Sequence, residues 1–323
     1  MSHGSTKAVL TAIAGNSVVT VAKFVGFAFS GSSALLAEAV HSLADTANQA
    51  LLYLGIRRSQ KKADEKHHFG YGQERYFWNL VSAVTIFFIG CVYTMMHAVG
   101  SLKEGNQPEL SLIAFSIIGI AFIVEGYSFI VALDEFNRQR REKGSTFFTY
   151  FHESNDPTTV AVLIEDAVAM LGLVLALLGM SISAYTGSSI FDGIAALCIG
   201  VLMGALAFFL ATVNKKYLIN AADPDMDALA AQVWGDDERI QRLQRVNSIV
   251  ISPEDSVLMA ELELREEELF ADMSQQEVAT AVKFMEHQDE IRKSLEAEVK
   301  KVSPQAQHIF IEFVGFPRQK DHE

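Results

Sequence analysis

Residues 37–48 read AEAVHSLADTAN, and this stretch decides the fold. It sets Glu38, His41, Asp45 and Asn48 inside a run otherwise apolar enough to cross a bilayer. At the helical period these four side chains fall within about a quarter of the circumference. An ionisable group in hydrocarbon costs about 2.5–3.5 kcal/mol or more, so such a face marks an ion or proton pathway. A histidine and an aspartate on adjacent turns also form a two-ligand claw for a divalent cation. The plain alternative is a polar pair that only bridges two helices.

Outward from this stretch the chain repeats its apolar character. Six runs reach the roughly 20 residues that a membrane helix needs, near 8–29, 34–58, 76–100, 111–133, 157–182 and 189–213. The first two are separated by Ser30-Gly31-Ser32-Ser33, a turn short enough to make them antiparallel neighbours. The first run is long enough to stay as an anchor, so no cleavable signal is expected. The polar start MSHGSTK lacks the Arg-rich character of an organellar presequence.

Cations cluster on one side. Arg57, Arg58, Lys61, Lys62 and Lys66 follow the second run, Arg138, Arg140, Arg141 and Lys143 the fourth, and Lys215 and Lys216 the sixth. The opposite loops hold only Lys103. The positive-inside rule then predicts both termini in the cytoplasm of an integral membrane protein, in the cell (inner or plasma) membrane.

Charge divides the 323 residues into two parts. Residues 1–220 carry 15 Lys plus Arg against 16 Asp plus Glu, whereas residues 221–323 carry 11 against 23. An apolar, almost neutral part followed by an acidic one predicts two domains in two solvents, 1–214 in the membrane and 215–323 outside it. The acidic balance argues against nucleic-acid partners. Two cysteines, Cys91 and Cys198, both in apolar runs, exclude a disulfide framework and a four-thiolate zinc site.

The acidic part reads as a small α/β domain of order αββαβ. A helix is expected from Asp223, strands over 248–252 and 256–264, a helix over 274–302 opened by a Ser274/Glu277 capping box, and a last strand over 308–314. In the second strand Val257, Met259, Glu261 and Glu263 alternate with Leu258, Ala260, Leu262 and Leu264, the period of a sheet with one wet face.

Chemistry concentrates in the membrane part. LIEDAVAM (163–170) puts Glu165 and Asp166 at about the depth of Asp45, and adjacent residues differ by about 100°, so at most one points straight at the second helix. Lys23 and Glu38, at similar depth, read as a buried ion pair. Glu125 in the fourth run is a candidate proton carrier or an acid behind the ligands. Asn16 could complete a metal shell by its carbonyl, or bind helices together as amides do in membranes. Asp64, Glu65, Lys66, His67 and His68 form a weaker cation-binding cluster, for which a solvated loop is the plain reading. His287 and His308 have no spaced partners.

These residues carry a family likeness. The motif GSSALLAEAVHSLAD (31–45), the loop HHFGYGQERYFW (67–78), six apolar runs and an αββαβ tail resemble the cation diffusion facilitator family, over almost the whole chain. LIED and the loop are most similar to the branch of mitochondrial-type zinc transporters. The resemblance implies a homodimeric divalent-metal/proton antiporter, in which His41 and Asp45 match the ligands of the second helix and Asp166 the last ligand of the fifth. The family's histidine four residues earlier is replaced by Val162, so Glu165 becomes the candidate substitute, with water or Asn16 as alternatives. In the loop, Asp64 and His67 match two ligands of a site found in some bacterial members, and Tyr71 stands at the third.

The expectation is a transporter that exports zinc, with Mn2+, Fe2+ or Co2+ open, in exchange for protons, without a prosthetic group. A membrane-anchored metal sensor and a passive cation channel are the readings from other classes. An enzyme is not expected, since no nucleophile–base constellation or cofactor loop occurs.

Overall fold

The computed structural model describes residues 3–104, 111–142, 144, 146–147, 157–253, 255–265, 268, 270–303, 309–311 and 313. Among these, six long helices make up the first two thirds: α1 His3–Ser30, α2 Ser33–Ser59, α3 Glu74–Glu104, α4 Leu112–Glu142, α5 Pro157–Thr186 and α6 Ile190–Leu218. Five of them are long and apolar enough to cross a membrane. The exception is α2, which is 27 residues long but carries Glu38, Asp45, Arg57 and Arg58.

Packing explains why α2 tolerates this composition. It lies against α1, α3, α5 and α6, so its polar face meets protein. Lipid-type side chains sit on the outer helices instead, with Ile123 and Tyr127 of α4 more than 70% exposed. The interior is built largely from alanine, including Ala34, Ala37, Ala44, Ala114, Ala176, Ala195 and Ala207. Small residues let membrane helices approach closely, where packing rather than water drives association. A methyl group at Gly179 of α5 would come within 2.5 Å of Ala195 Cβ on α6.

Two local devices set the start of α2. Gly31, with φ of +63°, turns the chain between α1 and α2, a conformation that costs glycine nothing. Ser32 then caps α2, its hydroxyl accepting from the Leu35 N–H at 3.1 Å. In α3 the α-helical pitch gives way to a π-helical segment, Ile86–Tyr93, before resuming at Thr94.

The chain divides into two compact units, Met1–Ala230 with Val246–Met259, and Ala231–Arg245 with Ala260–Glu323. After α6 come α7 Pro224–Gly235, β1 Ile240–Ser252, β2 Asp255–Leu264 and α8 Gln275–Val302. The two strands pair across a two-residue link, which only a hairpin can span. Both expected caps are present: Asp223 accepts from the Met226 N–H at 3.1 Å, and Ser274 and Glu277 form the full capping box. The first strand starts earlier than 248, at Ile240.

The wet-face alternation expected of the second strand is not observed. Leu262 and Leu264 are 40% and 44% exposed, in a described sheet of two strands. Of the last expected strand, residues 308, 312 and 314 lie outside the described residues, as does Lys143; Ile309, Phe310, Ile311 and Phe313 are in no strand.

Candidate metal site between α2 and α5

His41 and Asp45 stand one turn apart on the enclosed face of α2, and His41 is 1% exposed. Their facing atoms, Nε2 and Oδ2, are 3.2 Å apart. The alignment is not that of a hydrogen bond, which leaves His41 Nε2 and Asp45 Oδ1 buried and unpartnered. A buried imidazole nitrogen and carboxylate oxygen without partners are costly unless something binds them. Both are also ordinary ligand atoms for a divalent ion.

Across from them, α5 presents its two acids differently. Glu165 turns to α2: its Oε1 accepts from Asn48 Nδ2 at 2.9 Å, and its carboxyl neighbours that of Asp45. Asn48 is itself held by α3, its Oδ1 accepting from the Ser82 hydroxyl at 2.6 Å. Asp166 turns to α4 and accepts from the Ser128 hydroxyl at 3.1 Å. Its charge still acts on His41 and Asp45. No three His, Cys, Asp or Glu side chains converge tightly enough to hold an ion among the described residues. The arrangement is thus a claw with one acid beside it and another one helix face away.

A cavity of about 410 Å³ reaches Asn48 and Glu165 and is lined also by Arg75, Asn79, Val162, Asn214 and Tyr217, and by Asp223 and Ser252 beyond α6; His41 and Asp45 do not line it. It therefore lies toward the end of the bundle that bears the basic 2–3 loop. Val162 lines it and is 43% exposed. Tyr76 of α3 and Tyr217 of α6 stack beside it, centroids 4.5 Å apart.

The other candidates fall into separate places. Asn16 is half-buried in α1, one turn before Thr20, whose hydroxyl lies 3.3 Å from that of Thr46; no hydrogen bond joins its side chain to His41 or Asp45 among the described residues. The ion pair expected of Lys23 and Glu38 is present at 2.9 Å, and Glu125 joins it at 2.7 Å from the same ammonium. Sequence reasoning weighed Glu125 alone, because spacing along α4 does not say which helix it faces.

The 2–3 loop closes on its own cation. Lys61 Nζ donates to Asp64 Oδ2 and to the Tyr71 hydroxyl, both at 2.8 Å, and Tyr71 donates to the same carboxylate oxygen at 2.8 Å. Asp64 Oδ1 accepts from the Lys66 and His67 N–H groups at 3.0 Å, with His67 Nδ1 3.6 Å away. Lys61 first, then Tyr71 and the two amides, hold the Asp64 carboxyl well below its ordinary range. Asp64 and His67 are thus brought together, with an ammonium on the carboxylate.

Three contributors escaped the sequence reading: Ser82, Ser128 and Asp192. The available signal was a small hydroxyl or lone acid inside an apolar run, which in a membrane helix points to a partner on a neighbour.

Comparison with known proteins agrees with this architecture. Residues 9–219 match the cation efflux transmembrane domain. The chain is 30% identical over 334 residues to a mouse protein named "Proton-coupled zinc antiporter SLC30A9, mitochondrial", covering 96% of this chain and 59% of that protein. It is 36% identical over 260 residues to "Metal tolerance protein C4" of Arabidopsis thaliana, covering 80% of this chain and 57% of the other. To "Magnetosome protein MamB" of Magnetospira it is 28% identical over 181 residues, 56% of each chain. The chain spans less than three fifths of the length of these relatives. With a domain match running through α1 to α6, over the helices that carry the His41–Asp45 claw and its facing acids, the chain belongs to the cation efflux family.

Proposed function

We propose that this protein is a divalent-cation efflux transporter, for zinc in the first place, that exchanges metal for protons by alternating access. The observation that carries the reading is the pair of unpartnered, buried ligand atoms on His41 and Asp45, beside Glu165 at the head of a cavity. In the proposed site His41, Asp45 and Asp166 supply ligands, and Glu165 takes the position that Val162 cannot, with water or Asn16 as the alternative. Ligation requires neutral imidazole and ionised carboxylates, so metal entry expels protons and protonation from the far side expels metal. The mixture of one nitrogen and several oxygens suits zinc while leaving Mn2+, Fe2+ and Co2+ as competitors. The zinc named for the mouse relative supports the first choice.

In this reading α2 is the sixth span, screened from lipid by its neighbours, and the membrane domain ends near 214, with residues 215–323 forming the acidic domain in the cytoplasm. A homodimer in the cell membrane, with both termini on the cytoplasmic side, completes the proposal; the mitochondrial designation of the mouse relative makes an organelle membrane the alternative location.

The test is zinc flux into proteoliposomes with and without an imposed pH gradient, against manganese, iron and cobalt. Gradient-driven zinc flux that is lost in D45A and D166A is the expected result. Flux indifferent to the gradient would make the protein a channel, and binding without flux would make it a sensor.

A further inference from the structure

Three successive turns of α2 each carry a buried ligand atom without a hydrogen-bond partner. His41 Nε2 and Asp45 Oδ1 are the first two, and Gln49 Oε1, one turn nearer the basic end of the helix, is the third. The amide beside it is engaged at both ends: Asn48 accepts from the Ser82 hydroxyl and donates to Glu165. Side chains four residues apart are neighbours on a helix surface, so Asp45 and Gln49 set two unsatisfied acceptors on adjacent turns. Two acceptors cannot satisfy each other, and a buried amide oxygen without a donor or a cation is destabilising.

The register of α1 against α2 brings a further amide to this level. Lys23 Nζ donates to the Ser42 hydroxyl at 2.8 Å, and one turn nearer the basic end the Thr20 and Thr46 hydroxyls lie 3.3 Å apart. In an antiparallel pair the next turn sets the half-buried Asn16 opposite Gln49. On the other side Gln49 follows Asn48, which the cavity reaches. Asp45 meanwhile offers an oxygen to each neighbour, since Oδ2 is the atom 3.2 Å from His41 Nε2 and Oδ1 is left over. We propose that Gln49 Oε1 and Asp45 Oδ1 form a receiving position for a divalent cation, built of oxygen alone, from which the ion passes one turn along α2 to the His41–Asp45 claw.

The donor types give the two positions different work. One carboxylate oxygen and one neutral amide oxygen, with water completing the shell, take zinc, manganese or ferrous iron with little preference. The imidazole enters only at the second position, so choice among metals falls there. A neutral amide also holds the ion without a second charge to trap it, as conduction through successive sites requires. Because Asp45 belongs to both positions, the ion stays on a carboxylate throughout the transfer. A water bridging the two acceptors is the other occupant such a place admits, and the experiment separates water from metal.

This inference rests on the transporter reading, and the measurements keep the two apart. Zinc and manganese are titrated onto the detergent-purified full chain, with thermal unfolding as the check that each variant is folded. H41A removes the claw and should retain weak binding of both metals at similar affinity. H41A/Q49M, which keeps the side-chain length but not the oxygen, should bind both at least about tenfold more weakly than H41A. In the otherwise intact chain Q49M should leave the zinc affinity near wild type and slow its association by about tenfold in stopped flow, because a step is lost and the final position is not. A helix-packing role would move neither the residual binding nor the association rate at constant affinity. Should H41A/Q49M not fold, H41A/Q49E decides, since an added carboxylate at the receiving position should tighten both metals by about tenfold. No metal binding in H41A, or equal binding in H41A and its Gln49 double variants, would overturn the proposal and leave water as the occupant. Absence of zinc binding in the wild type would instead overturn the transporter reading, and this inference with it.

Discussion

Asp192 of α6 caps the amino end of α2: it accepts from the Ser33 N–H at 2.6 Å and from the Ser32 hydroxyl at 2.5 Å. The carboxylate is 2% exposed, and it meets the helix end where free N–H groups and the dipole favour negative charge. The helix that carries His41 and Asp45 is therefore tied to α6 at the end away from the cavity. D192N keeps the shape but weakens a charge-assisted acceptor, and the expected loss is about 1–3 kcal/mol of stability. Thermal unfolding in mild detergent measures it; a midpoint equal to wild type would show that the cap contributes nothing.

Asn48 bridges Ser82 and Glu165, and so aims an acid it does not replace. N48A should leave the fold intact and weaken zinc binding by about tenfold, as removal of a group that orients a ligand commonly does. Equilibrium zinc titration checks this, with N48D as control.

Val162 lines the cavity, one turn before Glu165 and Asp166. V162H would add an imidazole at the same mouth and should tighten zinc relative to manganese by about tenfold, equal to about 1.4 kcal/mol. Competition binding with the two metals gives the ratio directly. No change in that ratio would mean the cavity face is not part of the metal's coordination path.

The 2–3 loop makes a pH prediction. The Asp64 carboxyl titrates below its ordinary range, so its contribution to loop order is complete above about pH 4 and is lost only as the pH falls toward the depressed value. Hydrogen exchange at the Lys66 and His67 amides, which Asp64 accepts from, should therefore stay protected from neutrality down to about pH 4. D64A, which removes the acceptor, should lose that protection throughout. K61A should expose a carboxylate beside His67 and Tyr71 and bind zinc weakly where the wild-type loop does not.

How much of this was legible follows from periodicity. A polar quarter-turn on α2, the Lys23–Glu38 pair, the Ser274/Glu277 box and the Asp223 cap all depend on residues close in sequence or equal in depth, and each is present. The facing of Glu165 and Asp166 depends on the rotation of α5 about its axis, which spacing leaves open by about 100°. The loop knot was hidden for a different reason: Lys61, Asp64 and Tyr71 converge through an irregular backbone with no period to read. Asp192 is a single acid in an apolar run, and its role rests on a contact with Ser33, 159 residues away, that no spacing along α6 encodes.

The alanine and glycine lining of the bundle also has a mechanical consequence. Large interlocking side chains behave as gear teeth, fixing one register and resisting displacement along the axis. Where Gly179 of α5 meets Ala195 of α6, with Ala176 and Ala196 in the same core, the teeth are small, although Leu173, Met180, Ile199 and Met203 stand in that core as well. Small residues in contact reduce the repacking that a helix shift requires, so this stretch of the α5–α6 seam resists shear least. The polar ties from Asp192 to Ser32 and from Ser82 to Asn48 instead pin α2, to α6 and to α3.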